Sequence, residues 1–187
     1  SGIQKFIYTI ASKNALRTLR ARSFYLEIMM EHIIDTLLER LELSRANLIY
    51  SGGGHCYLLL ANTQKTREVL NTFQKELQSW FLKYFRTELF VAFGYSVCSG
   101  NTFRNVPEGS YANMFRQASA GISKAKLHRY TAEEIIALNQ YRADDYTREC
   151  KVCKRIGQVD EKGVCPLCRK IEALSGNVLY DIFFSIV

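Results

Sequence analysis

Ala46-Asn47-Leu48-Ile49-Tyr50-Ser51-Gly52-Gly53-Gly54-His55-Cys56-Tyr57-Leu58-Leu59-Leu60 is the stretch on which the fold class turns. Two short apolar runs, Ala46–Tyr50 and His55–Leu60, flank Ser51-Gly52-Gly53-Gly54. Strand, tight turn, strand is the reading, because glycine supplies the positive φ angles that hairpins need. Upstream, Leu19, Leu26, Met30, Ile33, Leu37 and Leu41 recur at steps of three, four or seven, which predicts one long helix from Ala15 to about Leu43. Downstream, a second helix is expected from Thr66 to Phe85, with Val69, Phe73, Leu77, Trp80 and Tyr84 on its buried stripe. Leu89–Val97 is rich in aromatic and β-branched residues and predicts a buried strand. Asn101–Ser110 is a loop containing Pro107, and Ser110 is placed to cap a third helix, Tyr111–Leu127. The apolar side of that helix is Tyr111, Phe115, Ala118, Ile122 and Ala125.

The order is helix, strand, turn, strand, helix, strand, helix. One further strand ahead of Ser1 would make it βαββαβ, an α+β, ferredoxin-like arrangement. The chain begins without a methionine and stops in the apolar run Ile182–Val187, so it reads as a segment of a larger protein whose first strand lies outside it or is partly present. Thr131–Glu149 carries a helix and a polar connector, after which the composition changes. Two regions are therefore expected: 1–130, and 131–187 with a linker helix and a small module. Many unrelated proteins share this arrangement, so it names no function.

With 187 residues, 48% of them hydrophobic and 12% aromatic, the chain can bury a sizeable core. No run approaches the roughly 18 apolar residues of a membrane span, and no secretory signal is evident. A soluble segment without membrane contact is expected. The formal charge of +7, from 25 Lys and Arg against 18 Asp and Glu, favours acidic partners such as nucleotides or RNA. The positive residues are scattered, however, and a solvated surface explains most of them equally well.

Four of the six cysteines form two C-x-x-C pairs, Cys150-Lys151-Val152-Cys153 and Cys165-Pro166-Leu167-Cys168, with 11 residues between them. Each pair places two thiolates on one tight turn, and four thiolates satisfy a tetrahedral zinc ion. Such a site is closed, hence structural. Gly157 and Gly163 would let the intervening segment fold back as a hairpin, and Lys151, Lys154, Arg155, Arg169 and Lys170 would lower the thiol pKa values. Two independent redox pairs, or four unremarkable thiols, are the alternatives. The segment from Cys150 to Cys168 has little apolar material of its own and needs such help to fold. Thiolates on a metal in a reducing cytoplasm fit this cysteine usage better than a disulfide scaffold.

The turn Ser51-Gly52-Gly53-Gly54-His55 sits where palm-type polymerases and nucleotide cyclases keep an acidic hairpin that holds two divalent ions against a triphosphate. It contains no carboxylate, so metal-assisted phosphoryl transfer is not expected from it. Three glycines would let a phosphate approach the backbone N–H groups. A glycine-rich hairpin turn with no ligand is the other reading, and His55 taken alone is more often a structural histidine than a base.

Four motifs together resemble the large, multidomain subunit of type III-A CRISPR effector complexes. They are Ser1-Gly2-Ile3-Gln4-Lys5-Phe6-Ile7-Tyr8, Leu19-Arg20-Ala21-Arg22-Ser23-Phe24-Tyr25-Leu26, Tyr50-Ser51-Gly52-Gly53-Gly54-His55, and the four-cysteine module. The resemblance covers essentially the whole chain. It implies the first of two facing palm domains, with a degenerate hairpin, plus its attached zinc module. In that family the second palm carries a Gly-Gly-Asp-Asp hairpin and joins ATP into cyclic oligoadenylates when target RNA is bound, in prokaryotic antiviral defence. The full-length family protein is a nucleotidyltransferase and nuclease. Gly53-Gly54-His55 departs from the catalytic pattern, so synthesis by this chain alone is not implied; the family's upstream His-Asp nuclease domain is not expected within this chain either.

Carried over by resemblance, nucleotide contacts are expected at Ser1, Gly2, Ile3 and Gln4, at Arg22 and Ser23, and at Ser51, Gly52, Gly53, Gly54 and His55. Lys124 and Lys126 end the third helix where related cyclase palms place a phosphate-binding lysine, although cations at a helix C-terminus are favourable in any case. The implied cofactors are structural zinc, and ATP with Mg or Mn in the intact protein. The implied partners are the second palm, other effector subunits, guide RNA and target RNA. A scaffold or RNA-contacting zinc module without nucleotide binding is the alternative role. Outside the family, a zinc-ribbon nucleic-acid binder would fit the basic residues around the cysteines.

Overall fold

The computed structural model describes residues 2–8, 15–140 and 148–181, with the side chains of the last helix described as far as Leu174. Ser1 lies outside the described residues. The elements are α1 (Gly2–Tyr8), α2 (Ala15–Arg40), a 3-10 turn (Arg45–Asn47), β1 (Leu48–Gly52), β2 (His55–Leu58), α3 (Gln64–Phe85), α4 (Gly100–Phe103), α5 (Ser110–Leu127), α6 (Ala132–Gln140) and α7 (Pro166–Asp181). The class is α+β, as expected. The chain divides into two compact units, one made of 1–59 with 142–187, the other of 60–141. This differs from the boundary near residue 130 suggested by composition, because the cysteine module returns to the N-terminal helices.

In the first unit α2 is the spine. Ile33, Ile34, Leu37, Leu38 and Leu41 are buried along it, and α1 and α7 both pack on it. The hairpin β1–β2 is antiparallel, with Gly52 opposite His55, Ser51 opposite Cys56, Tyr50 opposite Tyr57, and Leu48 opposite Leu58. The register slips between Leu48 and Tyr50, so Ile49 is an extra residue. That bulge lets Leu48 and Ser51, three apart, both face inward with Cys56 and Leu58. The outer face presents Ile49, Tyr50, Tyr57 and Leu59 to solvent.

In the second unit Phe73, Phe81, Phe85 and Leu89 are buried. The stripe on α3 thus passes through Phe81 and Phe85, while Trp80 and Tyr84 lie on the exposed side, against expectation. Trp80 instead stacks edge-on to Phe81 at 5.1 Å. α3 is tied to α6 by the Gln78 amide, which donates to Glu134 Oε2 at 2.8 Å and to the Arg129 carbonyl. Thr131 and Glu134 cap α6 reciprocally. Ser110 does not cap α5. Asn105 does so, its Oδ1 accepting from the N–H groups of Gly109 and Tyr111 at 2.9 and 3.2 Å.

Leu89–Val97 forms no strand, and the β1–β2 hairpin is the one sheet among the described residues. The described residues therefore do not by themselves complete the ferredoxin-like arrangement. A strand exists only by pairing, and the described part of the second unit holds no other strand. The segment lies on α5 instead: a Cβ at Gly94 would fall 2.2 Å from the Ala118 carbonyl oxygen, and one at Gly121 would fall 3.2 Å from Gly94 Cα. Phe93 packs on Phe73 at 6.3 Å. Glycine facing glycine lets backbone meet helix at a distance no side chain permits. No described helix is long and apolar enough to cross a membrane.

Candidate functional site

The four cysteines converge as their spacing requires. Residues 148–157 fold back on themselves: the Glu149–Ile156 bridge is antiparallel, Cys150 N donates to the Arg155 carbonyl at 2.9 Å, and Lys154 N to the Cys150 carbonyl at 2.9 Å. This small hairpin encloses Cys153, rather than spanning the whole gap between the pairs. A second turn is built on Asp160, whose Oδ1 accepts from Lys162 N and Val164 N at 3.0 and 2.9 Å. Those N–H bonds hold the Asp160 carboxyl below its ordinary pKa. Pro166 then opens α7 at a position where the missing N–H is no loss. Lys151 N donates to the Gly163 carbonyl at 2.9 Å and so locks the two turns together.

All four Sγ atoms lie within 4.8 Å of one another, and Cys153 Sγ is 3.7 Å from Cys165 Sγ. A disulfide requires about 2.05 Å, so these are separate thiols. Around zinc, with Zn–S near 2.3 Å, tetrahedral geometry puts sulfur atoms about 3.8 Å apart. The donor set and its spacing fit such an ion. Two backbone donors face the sulfurs, Cys165 N to Cys150 Sγ at 3.3 Å and Cys168 N to Cys165 Sγ at 3.5 Å. Cys150, Cys165 and Cys168 are buried with Val152, Val159, Val164 and Leu167 around them. In this cluster the protons are unequally held. Cys165 is pulled down to about 2 because Cys153 and Cys168 donate to it, whereas hydrogen bonding to Cys165 raises Cys153 to about 12. Cys168 is also raised, by Cys153 first. Four adjacent thiolates need a cation before all can be ionised.

Two of the basic residues around the pairs are engaged by carboxylates instead. Lys154 pairs with Glu149 at 3.5 Å and Arg169 with Asp160 at 3.7 Å, on the surface. A cation that reaches a sulfur is Arg22, whose Nη2 donates to Cys168 Sγ at 3.6 Å. Arg22 is 2% exposed. Its Nη1 donates to the Phe6 carbonyl, and its guanidinium lies 5.2 Å from the Phe6 ring centroid. The sequence reading places this residue at a nucleotide; the structure packs it between α1 and the cysteine module. A signal for this was present, since Arg22 shares a helical stripe with Leu26, Ile33 and Leu37. A charge on an apolar face needs a partner.

The second cluster of expected residues surrounds the hairpin turn. Gly53 and Gly54 have φ of 58° and 76°, the double positive value of a two-residue type I′ turn. Nothing lies within 4 Å of a Cβ built on Gly53, whereas one on Gly54 would sit 2.2 Å from Ile3 Cδ1. The structure therefore brings Ile3 of α1 onto Ser51–His55. Gly2 is half-buried nearby in sequence and Gln4 is exposed. Ser51 Oγ donates to Glu31 Oε1 at 3.0 Å, and Glu31 receives Arg45 at 2.6 Å, so the hairpin is pinned to α2. Cys56 beside it is raised above the ordinary thiol pKa by burial and by the Glu31 charge, and stays protonated. His55 is exposed, with Nδ1 3.1 Å from the Gly53 carbonyl. Ser23 is exposed on α2. Lys124 and Lys126 are exposed in the last turn of α5, in the other unit.

A family model described as Csm1 subunit domain B matches residues 1–141. The Enterococcus italicus protein named CRISPR system single-strand-specific deoxyribonuclease Cas10/Csm1 (subtype III-A) is 46% identical over the whole chain, which spans 24% of that relative. Its namesake from Mycobacterium tuberculosis is 42% identical over 95% of the chain, again 24% of the relative. Among solved structures, the Csm1–Csm4 cassette in complex with cA3 aligns with a TM-score of 0.64 and 32% identity, over 75% of this chain and 19% of that one. The chain thus spans about a quarter of the curated relatives it matches. It belongs to the Cas10/Csm1 family of type III-A CRISPR large subunits, of which it carries domain B.

Proposed function

We propose that this chain is the first, non-catalytic palm of its large subunit, which holds ATP while a second palm joins nucleotides into cyclic oligoadenylates. The observation that carries this reading is the turn: two αL glycines, open space over Gly53, no carboxylate, and α1 seated against Gly54. Such a turn offers backbone N–H groups to phosphate without supplying metal ligands. The similar Csm1–Csm4 cassette has been solved with one ATP as well as with cA3. On this reading Gly2–Gln4, Ser23 and Ser51–His55 line the ATP site, with Mg or Mn on the triphosphate. Lys124 and Lys126, in the last turn of α5, bind a phosphate, and residues 1–130 derive from a palm. The four cysteines hold structural zinc. A Csm4-type subunit, guide RNA and target RNA are the partners, in a prokaryotic cytoplasm.

The exposed outer face of the hairpin, Ile49, Tyr50, Tyr57 and Leu59, also favours an assembly role, since such a face is covered in an intact complex. Gly53→Asn separates the two. Asparagine tolerates the left-handed backbone and adds a side chain over the turn. In the assembled complex this variant is expected to abolish most oligoadenylate synthesis without changing subunit composition. Undiminished synthesis would leave the assembly role alone standing.

A further inference from the structure

Arg22 carries a consequence beyond closing a gap in the core. A guanidinium buried in an apolar helix face is costly unless its charge is answered. Among the described contacts that answer it are the Phe6 carbonyl and ring on α1, and Cys168 Sγ in the module. Four thiolates around a divalent cation keep a net negative charge, and an N–H donor to one sulfur spreads it. The arginine and the occupied metal centre are therefore electrostatic complements. The same helix α1 reaches the turn: Ile3, one helical turn before Phe6, rests on Gly54. Cys168, Arg22, Phe6, Ile3 and Gly54 thus lie along one route, joined by the Arg22 contacts, by helix α1 and by the seating of Ile3 on Gly54, all within one compact unit.

We propose that Arg22 is the counter-charge of the four-cysteine metal centre, and that it ties metal occupancy to the placement of α1 and of the glycine turn. The proposal rests on the metal reading of the cysteines. Arg22 is a positioning residue here: it acts on the turn through α1, and on the metal through a ligand.

The test uses the full-length protein in three steps. Metal content of the wild type comes first; absence of metal overturns the metal reading and this proposal with it. Next, hydrogen exchange is followed in peptides covering 2–8 and 48–58, with zinc bound and after chelation. Exchange in both is expected to rise on chelation, a readout that needs no variant. Finally, zinc affinity is measured by chelator competition for Arg22→Met and Arg22→Lys, alongside the thiolate-to-metal absorption of the cobalt-substituted forms. Arg22→Met is expected to weaken zinc by roughly tenfold to a hundredfold, the usual effect of losing a group bonded to a metal ligand, and to shift the cobalt band. Arg22→Lys should recover part of the affinity by restoring charge. Metal present with unchanged exchange on chelation, or Arg22→Met binding zinc as tightly as wild type, would overturn the role of Arg22 and leave the metal reading intact.

Discussion

The glycine turn and the cysteine module are both built from tight turns, yet they are stabilised in opposite ways. The turn at Gly53–Gly54 is held by backbone conformation and by one apolar contact, and its tip opens to solvent. The module brings three of its four thiols into a buried cluster, and its shape depends on what joins the sulfurs. In the module the functional atoms are the structural ones, so losing a ligand loses the fold. In the turn the two are separable: Gly54 is committed to Ile3, whereas a Cβ at Gly53 would meet open space, which leaves its approach available to a ligand. A structural metal tolerates no change at its ligands. A backbone phosphate site tolerates changes that keep the φ angles and leave the approach open.

Ways to break this contrast rank by expected size. Cys168→Ser has the largest effect, because binding of a structural zinc contributes on the order of 10 kcal/mol to folding such modules. Metal content should fall to near zero, with proteolytic sensitivity appearing at 148–174. The pH dependence has a definite sign. The Cys153 thiol, raised to about 12 by Cys165, and the raised Cys168 must both lose protons when metal binds. Binding therefore releases protons, and zinc affinity should rise with pH and collapse on acidification, which a chelator competition across pH 5–8 would follow.

Gly54→Ala is next. It adds a Cβ at 2.2 Å from Ile3 Cδ1 on a backbone with φ of 76°, and should destabilise the unit by about 1–3 kcal/mol in thermal or denaturant unfolding. Gly53→Asn should cost well under that, since the space is open and asparagine accepts the conformation. Equal losses at the two positions would erase the distinction drawn between them. Ser51→Ala is the smallest, about 0.5–1.5 kcal/mol, through loss of the hydroxyl's bond to Glu31. It should loosen the hairpin on α2 without affecting zinc.

What could be read in the sequence divides along the same line. The cysteine cluster was legible because C-x-x-C is a local statement: two short spacings already bring the thiols together. Helices α2, α3 and α5 were legible within a few residues because their period repeats over several turns. The stripe of α3 was not, since Phe73 and Leu77 belong equally to a face through Trp80 and Tyr84 and to one through Phe81 and Phe85. Periodicity alone cannot choose between faces one residue apart. The strand expected at Leu89–Val97 failed for a different reason: composition reports fitness for a ladder, while pairing depends on a partner distant in sequence. The cap expected at Ser110 was supplied by Asn105, five residues earlier, through a loop whose path no local rule gives. Arg22 illustrates the limit most clearly. Its motif pointed to a nucleotide, but the burial that ties it to Cys168, 146 residues away, is a tertiary fact.

The most direct test of the central claim is calorimetric titration of ATP with magnesium into the full-length protein, with wild type and Gly53→Asn compared at equal zinc content. Binding in the wild type that falls at least tenfold in the variant, with zinc and unfolding temperature unchanged, is the result expected of a nucleotide site on this turn. Equal binding by both proteins would contradict it and place the nucleotide elsewhere.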